Sequence, residues 1–252
     1  MSVHSPRYYS SLGPFRDLFA TGHPVLTYHH VGPRPHGVRL KGLYVSSKLF
    51  AQQMAELKAE GFETDAFRTV RSNKVRPKRL FVTFDDGFAD VFENALPVLR
   101  QHGFRSIQFL VADLLGKTSE WQASSGELPR TLMDKAQVKD WLASGQEIGS
   151  HTLTHPRLTQ VPPLQAREEI SGSKKKLEDA FGIAVEQFCY PYGDWNLFIR
   201  DIVAEVGYKS VCITKLGVNT TEANPFALKR ITVRYPSRKL KNLGAWLRSL
   251  KT

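Results

Sequence analysis

The chain has 252 residues, 41% of them hydrophobic, and 35 Lys and Arg against 24 Asp and Glu give a net charge of +11. This length and composition fit one globular domain with a sizeable core. No apolar run reaches the roughly 18 residues of a membrane span, and two cysteines are too few for a disulfide framework. The charge favours an anionic partner or a solubilising surface. No nucleic-acid-binding signature is present, so we expect no such partner.

The N-terminal segment at 1–22 predicts a loose arm or a short capping helix ahead of one catalytic domain at 23–252. Its first residues lack the basic-then-apolar layout of a signal peptide. We therefore expect a cytoplasmic protein, in which Cys189 and Cys212 are buried, reduced thiols.

Strand-like and helix-like segments alternate along the rest of the chain. Strands are predicted at 25–28, 80–84, 106–111, 147–150, 187–190, 209–213 and 228–233, and helices at about 47–60, 90–102, 135–144, 164–181 and 195–206. Alternation of this kind indicates a parallel sheet with right-handed crossovers. About seven units predict an α/β fold, a single-domain distorted (β/α)7-type barrel. Such barrels keep their chemistry at the C-terminal ends of the strands.

Two carboxylates, Asp85 and Asp86, follow the strand at 80–84 and precede Gly87. An isolated Asp-Asp-Gly is usually a solvated turn, but a buried strand that leads straight into it favours a functional site. Two carboxylates that lie close together repel each other unless a cation holds one or one stays protonated.

Two histidines, His151 and His155, follow the strand at 147–150. Their spacing of four places both imidazoles on one side if the loop takes a helical turn. Two imidazole nitrogens and one carboxylate oxygen form the ligand set of an open catalytic zinc site. The His-Glu-x-x-His motif of metalloproteases is absent because Thr152 follows His151. The general base must therefore come from elsewhere, and the spare carboxylate beside Asp86 is the obvious candidate.

These motifs together resemble those of the polysaccharide deacetylases, the carbohydrate esterase group that includes chitin and peptidoglycan deacetylases. The resemblance lies in Thr83-Phe-Asp-Asp-Gly87 and in Ser150-His-Thr-Leu-Thr-His-Pro156. Pro24-Val-Leu-Thr-Tyr-His-His-Val31 resembles the opening strand of many members, and Tyr190-Pro-Tyr-Gly193 resembles their third motif. The motifs occur in the family order over about 24–233.

The resemblance implies a metal-dependent hydrolase of linear C–N amide bonds. Its substrate would be an N-acetylated amino-sugar glycan or a lipid-linked saccharide, from which it removes N-acetyl groups. Asp86, His151 and His155 would hold one divalent metal, and we expect zinc. Asp85 would then act as the base that takes a proton from water.

The third motif would form the oxyanion site and part of the substrate site. The resemblance implies that the backbone N–H of Tyr192 stabilises the oxyanion, and Pro191 and Gly193 suit a turn that presents a backbone group. Trp121, in the long loop at 112–132, and Trp195 could stack against sugar rings. An ordinary turn and two core aromatics are the simpler alternatives.

The chain departs from the family pattern at two places. Relatives often carry an arginine two residues before the proline of the third motif, where this chain has Cys189, and a late Leu-x-His, where it has Phe226-Ala-Leu-Lys-Arg-Ile231. Arg230 could reach Asp85 from the last strand in place of the missing guanidinium, although it could also be a rim residue. His29 or His30 could supply the general acid.

Two other functions remain open at this point. The first is hydrolysis of a non-sugar amide on the same fold. The second is a catalytically weak carbohydrate-binding relative, although such a protein would not need Asp85 and all three candidate ligands.

The C-terminal segment at 238–252 predicts a basic amphipathic helix. Five apolar side chains fall on one face at helical spacing, among basic neighbours. They are Leu240, Leu243, Trp246, Leu247 and Leu250. The face could pack on the barrel. It could also hold a cytoplasmic enzyme at the inner face of the membrane against anionic lipid.

Vesicle co-sedimentation distinguishes these two alternatives. If the helix lies on lipid, binding should require anionic lipid and should fall as salt rises, because each basic residue contributes about 1 kcal/mol that ions screen. Binding should also vanish in Trp246→Gln/Leu250→Gln. Equal binding to neutral vesicles, or no binding to either kind, would assign the helix to the barrel.

Overall fold

The computed structural model describes residues 7–70 and 76–234. Its strands are β1 (Val25–Tyr28), β2 (His30–Val31), β3 (Tyr44–Val45), β4 (Glu63–Thr64), β5 (Arg79–Phe84), β6 (Ile107–Leu110), β7 (Glu147–Ser150), β8 (Gln187–Cys189), β9 (Ser210–Leu216) and β10 (Leu228–Thr232). Its α-helices are α1 (Arg16–Phe19), α2 (Ser47–Ala59), α3 (Ala89–Asn94), α4 (Leu96–His102), α5 (Lys135–Ala143), α6 (Pro163–Phe181) and α7 (Leu197–Glu205). The predicted helix at 164–181 thus corresponds to α6, and the predicted helix at 195–206 corresponds to α7.

Seven parallel strands within this range close into a barrel. Their order is β1, β10, β9, β8, β7, β6 and β5, and β5 pairs again with β1. Leu26 of β1 is in register with Ile231 on one side and with Val82 on the other. β4 extends β5 outside the closed ring, and β2 pairs separately with β3. The predicted (β/α)7-type barrel is confirmed.

The predicted helix at 90–102 is wrong in one respect, because it is divided at Ala95 into α3 and α4. Pro97 stands at the start of α4 and has no N–H to donate to the carbonyl of Glu93. Its ring also crowds that carbonyl. The break therefore follows from Pro97, and Gly103, in the left-handed conformation, ends α4.

Side chains alternate between the two sides of the barrel strands. One large cluster, which includes Leu26, Val82 and Trp141, packs the strands against the surrounding helices. A smaller cluster, which includes Val25 and Phe81, comes from the alternate positions and fills the barrel interior. Helices thus support the strands from outside, and the C-terminal strand ends are left to carry polar groups.

The described part of the N-terminal segment packs on the barrel. Tyr9, Phe15 and Phe19 are buried and their rings lie in contact. The boundary drawn at residue 22 stays a prediction. The predicted amphipathic helix at 238–252 lies outside the described residues. Among the residues that are described, no helix is long and apolar enough to cross a membrane.

Candidate active site

A cavity of about 920 Å³ opens at the C-terminal ends of the barrel strands. Because the strands are parallel, residues that directly follow them meet at this one edge. Asp85 follows β5, His151 follows β7 and His29 follows β1, and all three line the cavity.

The turn after β5 brings both carboxylates into the cavity. The Asp85 N–H donates to the Tyr28 carbonyl at 3.1 Å and so extends the strand pairing by one residue. Asp86 then takes a left-handed conformation with φ of 74°, and Gly87 follows with φ of 83°. Such backbone is uncommon for a residue with a side chain. It turns the Asp86 carboxylate to the same side as that of Asp85.

Asp86, His151 and His155 form a compact set of possible metal ligands. Their ligand atoms lie within 4.8 Å of one another, and all three residues are buried. Oδ1 of Asp86 is 3.3 Å from Nε2 of His151 and 3.2 Å from Nε2 of His155. Burial raises the pKa of Asp86, but its contacts with the two imidazoles outweigh burial and leave that pKa well below its usual value.

The two histidines are held in different ways. Nδ1 of His151 is 2.7 Å from the Cys189 carbonyl, so Nδ1–H donates there and Nε2 is the nitrogen directed at Asp86. This arrangement is typical of metal-ligating histidines. His155 is enclosed by aromatic rings instead. Trp121 stacks on it at 4.6 Å between ring centroids, and Tyr192 meets it edge-on at 4.7 Å.

Glu169 of α6 anchors the loop that carries both histidines. It is 4% exposed, and its Oε2 accepts the backbone N–H groups of Leu153 and Thr154, each at 2.9 Å. Within this loop Thr152 and His155 have φ near +70°. The sequence analysis missed Glu169, whose only signal is an acidic residue on an otherwise apolar helix face.

A second set of possible ligands overlaps the first. Asp85, His151 and Cys189 also lie within 4.8 Å of one another. Burial raises the pKa of the Cys189 thiol to about 11, which keeps it protonated. The Asp85 carboxylate, moreover, is already bound by a guanidinium. Asp86, His151 and His155 are therefore the better candidate for a metal site.

Arg230 of β10 forms a buried bidentate ion pair with Asp85. Nη1 donates to Oδ1 and Nη2 to Oδ2, both at 2.7 Å, and Nε donates to the Ile213 carbonyl at 3.0 Å. Burial raises the pKa of Asp85, but Arg230 outweighs burial and leaves that pKa below its usual value. The alternative of Arg230 as a rim residue does not match this geometry, since only 2% of it is exposed.

His29 and His30, neighbours in the sequence, have different surroundings. Nε2 of His29 is 3.8 Å from Oδ2 of Asp85, and its side chain is one-fifth exposed in the cavity. Burial lowers the pKa of His29. His30 lies between the rings of Tyr44 and Phe88, with Nδ1 2.8 Å from Asp90, and does not line the cavity. Of the two, only His29 is placed to exchange protons with a substrate.

The turn at Tyr190-Pro-Tyr-Gly193 presents Tyr192 to the cavity. Tyr192 has φ of 61° and Gly193 has φ of 68°, and a Cβ on Gly193 would lie 2.2 Å from Oγ1 of Thr214. Glycine is therefore required there. Pro191 and Gly193 shape the turn but do not themselves line the cavity.

The two tryptophans considered as sugar platforms differ in position. Trp121 lines the cavity beside His155, so the long loop at 112–132 forms a wall of the site. The structure does not bring Trp195 to the cavity. Its ring stacks on Tyr190 at 5.8 Å and packs against the core instead.

Comparison with known proteins identifies the class of protein to which this barrel and its candidate active site belong. Residues 72–211, more than half of the chain, match the family model for polysaccharide deacetylase. The chain therefore belongs to the polysaccharide deacetylase family. The family resemblance stated from the motifs is confirmed, and membership supports a hydrolase of amide bonds.

Individual relatives agree with this assignment. The Bacillus subtilis protein YxkH, whose name places it among polysaccharide deacetylases, is 26% identical over 233 residues, covering 90% of this chain and 77% of YxkH. A chitooligosaccharide deacetylase from Azorhizobium caulinodans is 28% identical over 134 residues, which are 52% of this chain and 56% of that protein.

Solved structures show the same fold. BC0361, a polysaccharide deacetylase from Bacillus cereus, is 28% identical with a TM-score of 0.73 and covers 89% of this chain and 69% of its own. The Streptococcus pyogenes deacetylase PplD, solved in complex with acetate, has a TM-score of 0.74 at 23% identity. It covers 88% of this chain and 98% of its own.

Substitution of Glu169 tests whether it anchors the loop that carries the two candidate metal ligands His151 and His155. Glu169→Gln should weaken zinc affinity by about 10- to 100-fold, because substitution of residues that orient metal ligands through hydrogen bonds has effects of this size. Competition with a chromogenic chelator measures the affinity. Glu168→Gln, at the exposed neighbouring position, is the matched control and should bind zinc like the parent. Equal affinity in both variants would contradict the anchoring role.

Proposed function

We propose that this protein is a metal-dependent deacetylase that removes N-acetyl groups from an amino-sugar-containing glycan or a lipid-linked saccharide. The observation that carries the proposal is the buried set of Asp86, His151 and His155 directly beside Asp85, which is held by Arg230. Family membership supports the deacetylase part of the proposal.

The donor set fits a divalent metal of the zinc type. It offers one carboxylate oxygen and two imidazole nitrogens, and the Cys189 carbonyl holds His151 by Nδ1 with Nε2 directed at Asp86. Three protein ligands with open positions are typical of catalytic zinc. Zinc bound there would lower the pKa of water to about 7 and polarise the acetamido carbonyl.

Asp85 is the proposed base. Arg230 keeps it ionised, and with both oxygens held the carboxylate has a fixed orientation toward the cavity. It would take the proton of the attacking water as the new C–O bond forms. The backbone N–H of Tyr192 is the proposed donor to the oxyanion, since the turn brings this residue to the cavity beside His155.

His29 is the proposed carrier of the proton to the leaving amine. Its lowered pKa leaves the imidazole neutral at rest, so it can receive the proton that Asp85 has taken. The 3.8 Å between Nε2 of His29 and Oδ2 of Asp85 is short enough for this transfer after a small movement. When the C–N bond breaks, His29 would give that proton to nitrogen, and acetate and a free amine result.

Acetate release from N-acetylglucosamine oligosaccharides, measured with metal content, tests the proposal. The parent protein should hold about one equivalent of zinc. His151→Ala should lose both zinc and activity, because it removes a ligand. Asp85→Asn should keep zinc and lose at least about 10²-fold in rate, a usual size for a general base.

Circular dichroism shows whether each variant is still folded, and so distinguishes the loss of a functional group from unfolding. A His151→Ala protein with unchanged zinc and rate would refute the metal site. An Asp85→Asn protein within tenfold of the parent rate would refute the base. Acetate release only from non-sugar amides would assign the site to that substrate class instead.

An exchange of two residues tests Arg230 as the positioning residue for Asp85. Arg230→Ala leaves a buried carboxylate unpaired, so we expect lower kcat and a loss of about 3–5 kcal/mol in stability. Cys189→Arg/Arg230→Ala returns a guanidinium from the neighbouring position, where Sγ of Cys189 is 3.7 Å from Oδ2 of Asp85. The double variant should recover stability and part of kcat.

The split between kcat and KM shows whether the role is more than structural. A positioning role predicts a change in kcat at nearly constant KM and zinc content. If Arg230→Ala is folded and as active as the parent, Arg230 does not position the base. If the double variant is folded and holds zinc without regaining kcat, a guanidinium from position 189 cannot replace Arg230.

A further inference from the structure

The outer wall of the active-site cavity is basic. Arg7, Arg157, Lys215 and Arg234 all line it. The carboxylates that line the same cavity are Asp85 and Asp86. The first of these is bound by Arg230 and the second faces the two histidines, so neither neutralises the four outer cations.

Arg157 is ordered by an aromatic ring. Its guanidinium lies 4.1 Å from the centroid of Tyr192, the residue that the third motif presents to the cavity. Arg157 follows His155 by two residues, so the cation is close to the candidate metal ligands in the chain. A guanidinium that stacks by its face keeps its N–H groups available at the edge for a bidentate oxyanion.

Arg234 is ordered in the same manner on another part of the wall. Its guanidinium lies 4.0 Å from the centroid of the Tyr8 ring. On another side it meets the backbone of Gly42, where an added Cβ would lie 2.7 Å from Cζ of Arg234. Gly42 therefore leaves the space that this guanidinium occupies.

No carboxylate within 7–70 and 76–234 forms an ion pair with these four cations. The remaining segments of the chain, 1–6, 71–75 and 235–252, contain neither Asp nor Glu in their sequences. A solubilising surface does not need arginines that are stacked on rings at the mouth of a site. Among the described residues, the guanidinium N–H groups of Arg157 and Arg234 have no hydrogen-bond acceptor, which suits a ligand that brings its own negative charge.

We propose that the substrate is an anionic saccharide, an N-acetylated amino-sugar compound that carries phosphate or carboxylate groups, and that Arg157 and Arg234, on separate parts of the wall, bind such groups. This inference rests on the proposed deacetylase function and specifies its substrate class. Lys215 and Arg7 add positive potential, which would favour the approach of an anion and would be screened by salt. Oxyanions of both kinds suit a guanidinium fork.

Binding measured apart from turnover tests the inference. Asp85→Asn protein, loaded with zinc, is titrated calorimetrically with three probes: neutral chitotetraose, N-acetylglucosamine oligosaccharide phosphorylated at its reducing end, and a hyaluronan tetrasaccharide with uronate carboxylates. We expect at least one anionic probe to bind about tenfold or more tightly than chitotetraose, since each charge-assisted contact contributes on this scale. The preference should shrink at high salt. The two anionic probes distinguish phosphate from carboxylate.

Matched variants locate the anion site. Arg157→Gln/Arg234→Gln, in the same background, should lose the preference for the anionic probes over chitotetraose. Arg100→Gln/Lys139→Gln removes the same charge from exposed positions on α4 and α5 and should keep the preference. Gly42→Ala is a further test variant, and it removes no charged side chain. Its Cβ should displace the Arg234 guanidinium and weaken only the anionic probe.

The outcomes separate this inference from the proposed function. Equal affinity for neutral and anionic probes, no binding of any probe, or a preference that survives in Arg157→Gln/Arg234→Gln would overturn it. If the double variant does not fold, Gly42→Ala decides, and an unchanged preference there refutes the role of Arg234. Parent protein that releases acetate equally from all three probes would keep the deacetylase and reject the anion site. Selective anion binding without any acetate release would do the opposite.

Discussion

The buried ion pair between Asp85 and Arg230 is the interaction on which the rest of the site depends. Its two members are 145 residues apart in the chain, on strands that flank β1, so the pair forms only once the barrel is closed. A carboxylate in this position is buried next to a second carboxylate, Asp86, and both burial and repulsion favour its protonated form. The guanidinium reverses that balance with two hydrogen bonds. An ionised Asp85 in the barrel therefore requires the last strand.

Backbone strain is concentrated at the same edge of the barrel. Five non-glycine residues of the described chain have positive φ, and four of them, Asp86, Thr152, His155 and Tyr192, lie in the site. Each such residue costs on the order of 1–3 kcal/mol. Buried hydrogen bonds offset part of this cost, for example those that Glu169 accepts from the loop between the two histidines. The strain turns side chains of successive residues into one cavity, which extended strands alone could not do.

Much of this arrangement follows from the sequence, because strand periodicity shows which residues end up at strand termini. That reasoning yields the barrel and the convergence of Asp85, Asp86, His151 and His155, whereas the contact between Arg230 and Asp85 is one of two alternatives for Arg230. It does not yield Glu169, which reaches the loop from a helix that is separated from the loop in the chain. It also does not yield the break at Pro97, because the apolar periodicity continues through the proline. It also placed Trp195 in the substrate site. The sequence alone does not show whether an aromatic residue close to a motif packs into the core or faces the cavity.

The position of Arg230 shows why the departure from the family pattern at Cys189 need not leave Asp85 without a guanidinium partner. Inward-facing residues of a small barrel approach one another whichever strand they come from, so a guanidinium can reach the same carboxylate from more than one strand. The condition is space. Nη2 of Arg230 lies 3.2 Å from Sγ of Cys189, so a small side chain at 189 makes room for a long one at 230. The Cys189 thiol, kept protonated by burial, adds no competing charge. The two residues are thus best understood as one unit, in which the short side chain on β8 permits the long one on β10 to hold Asp85.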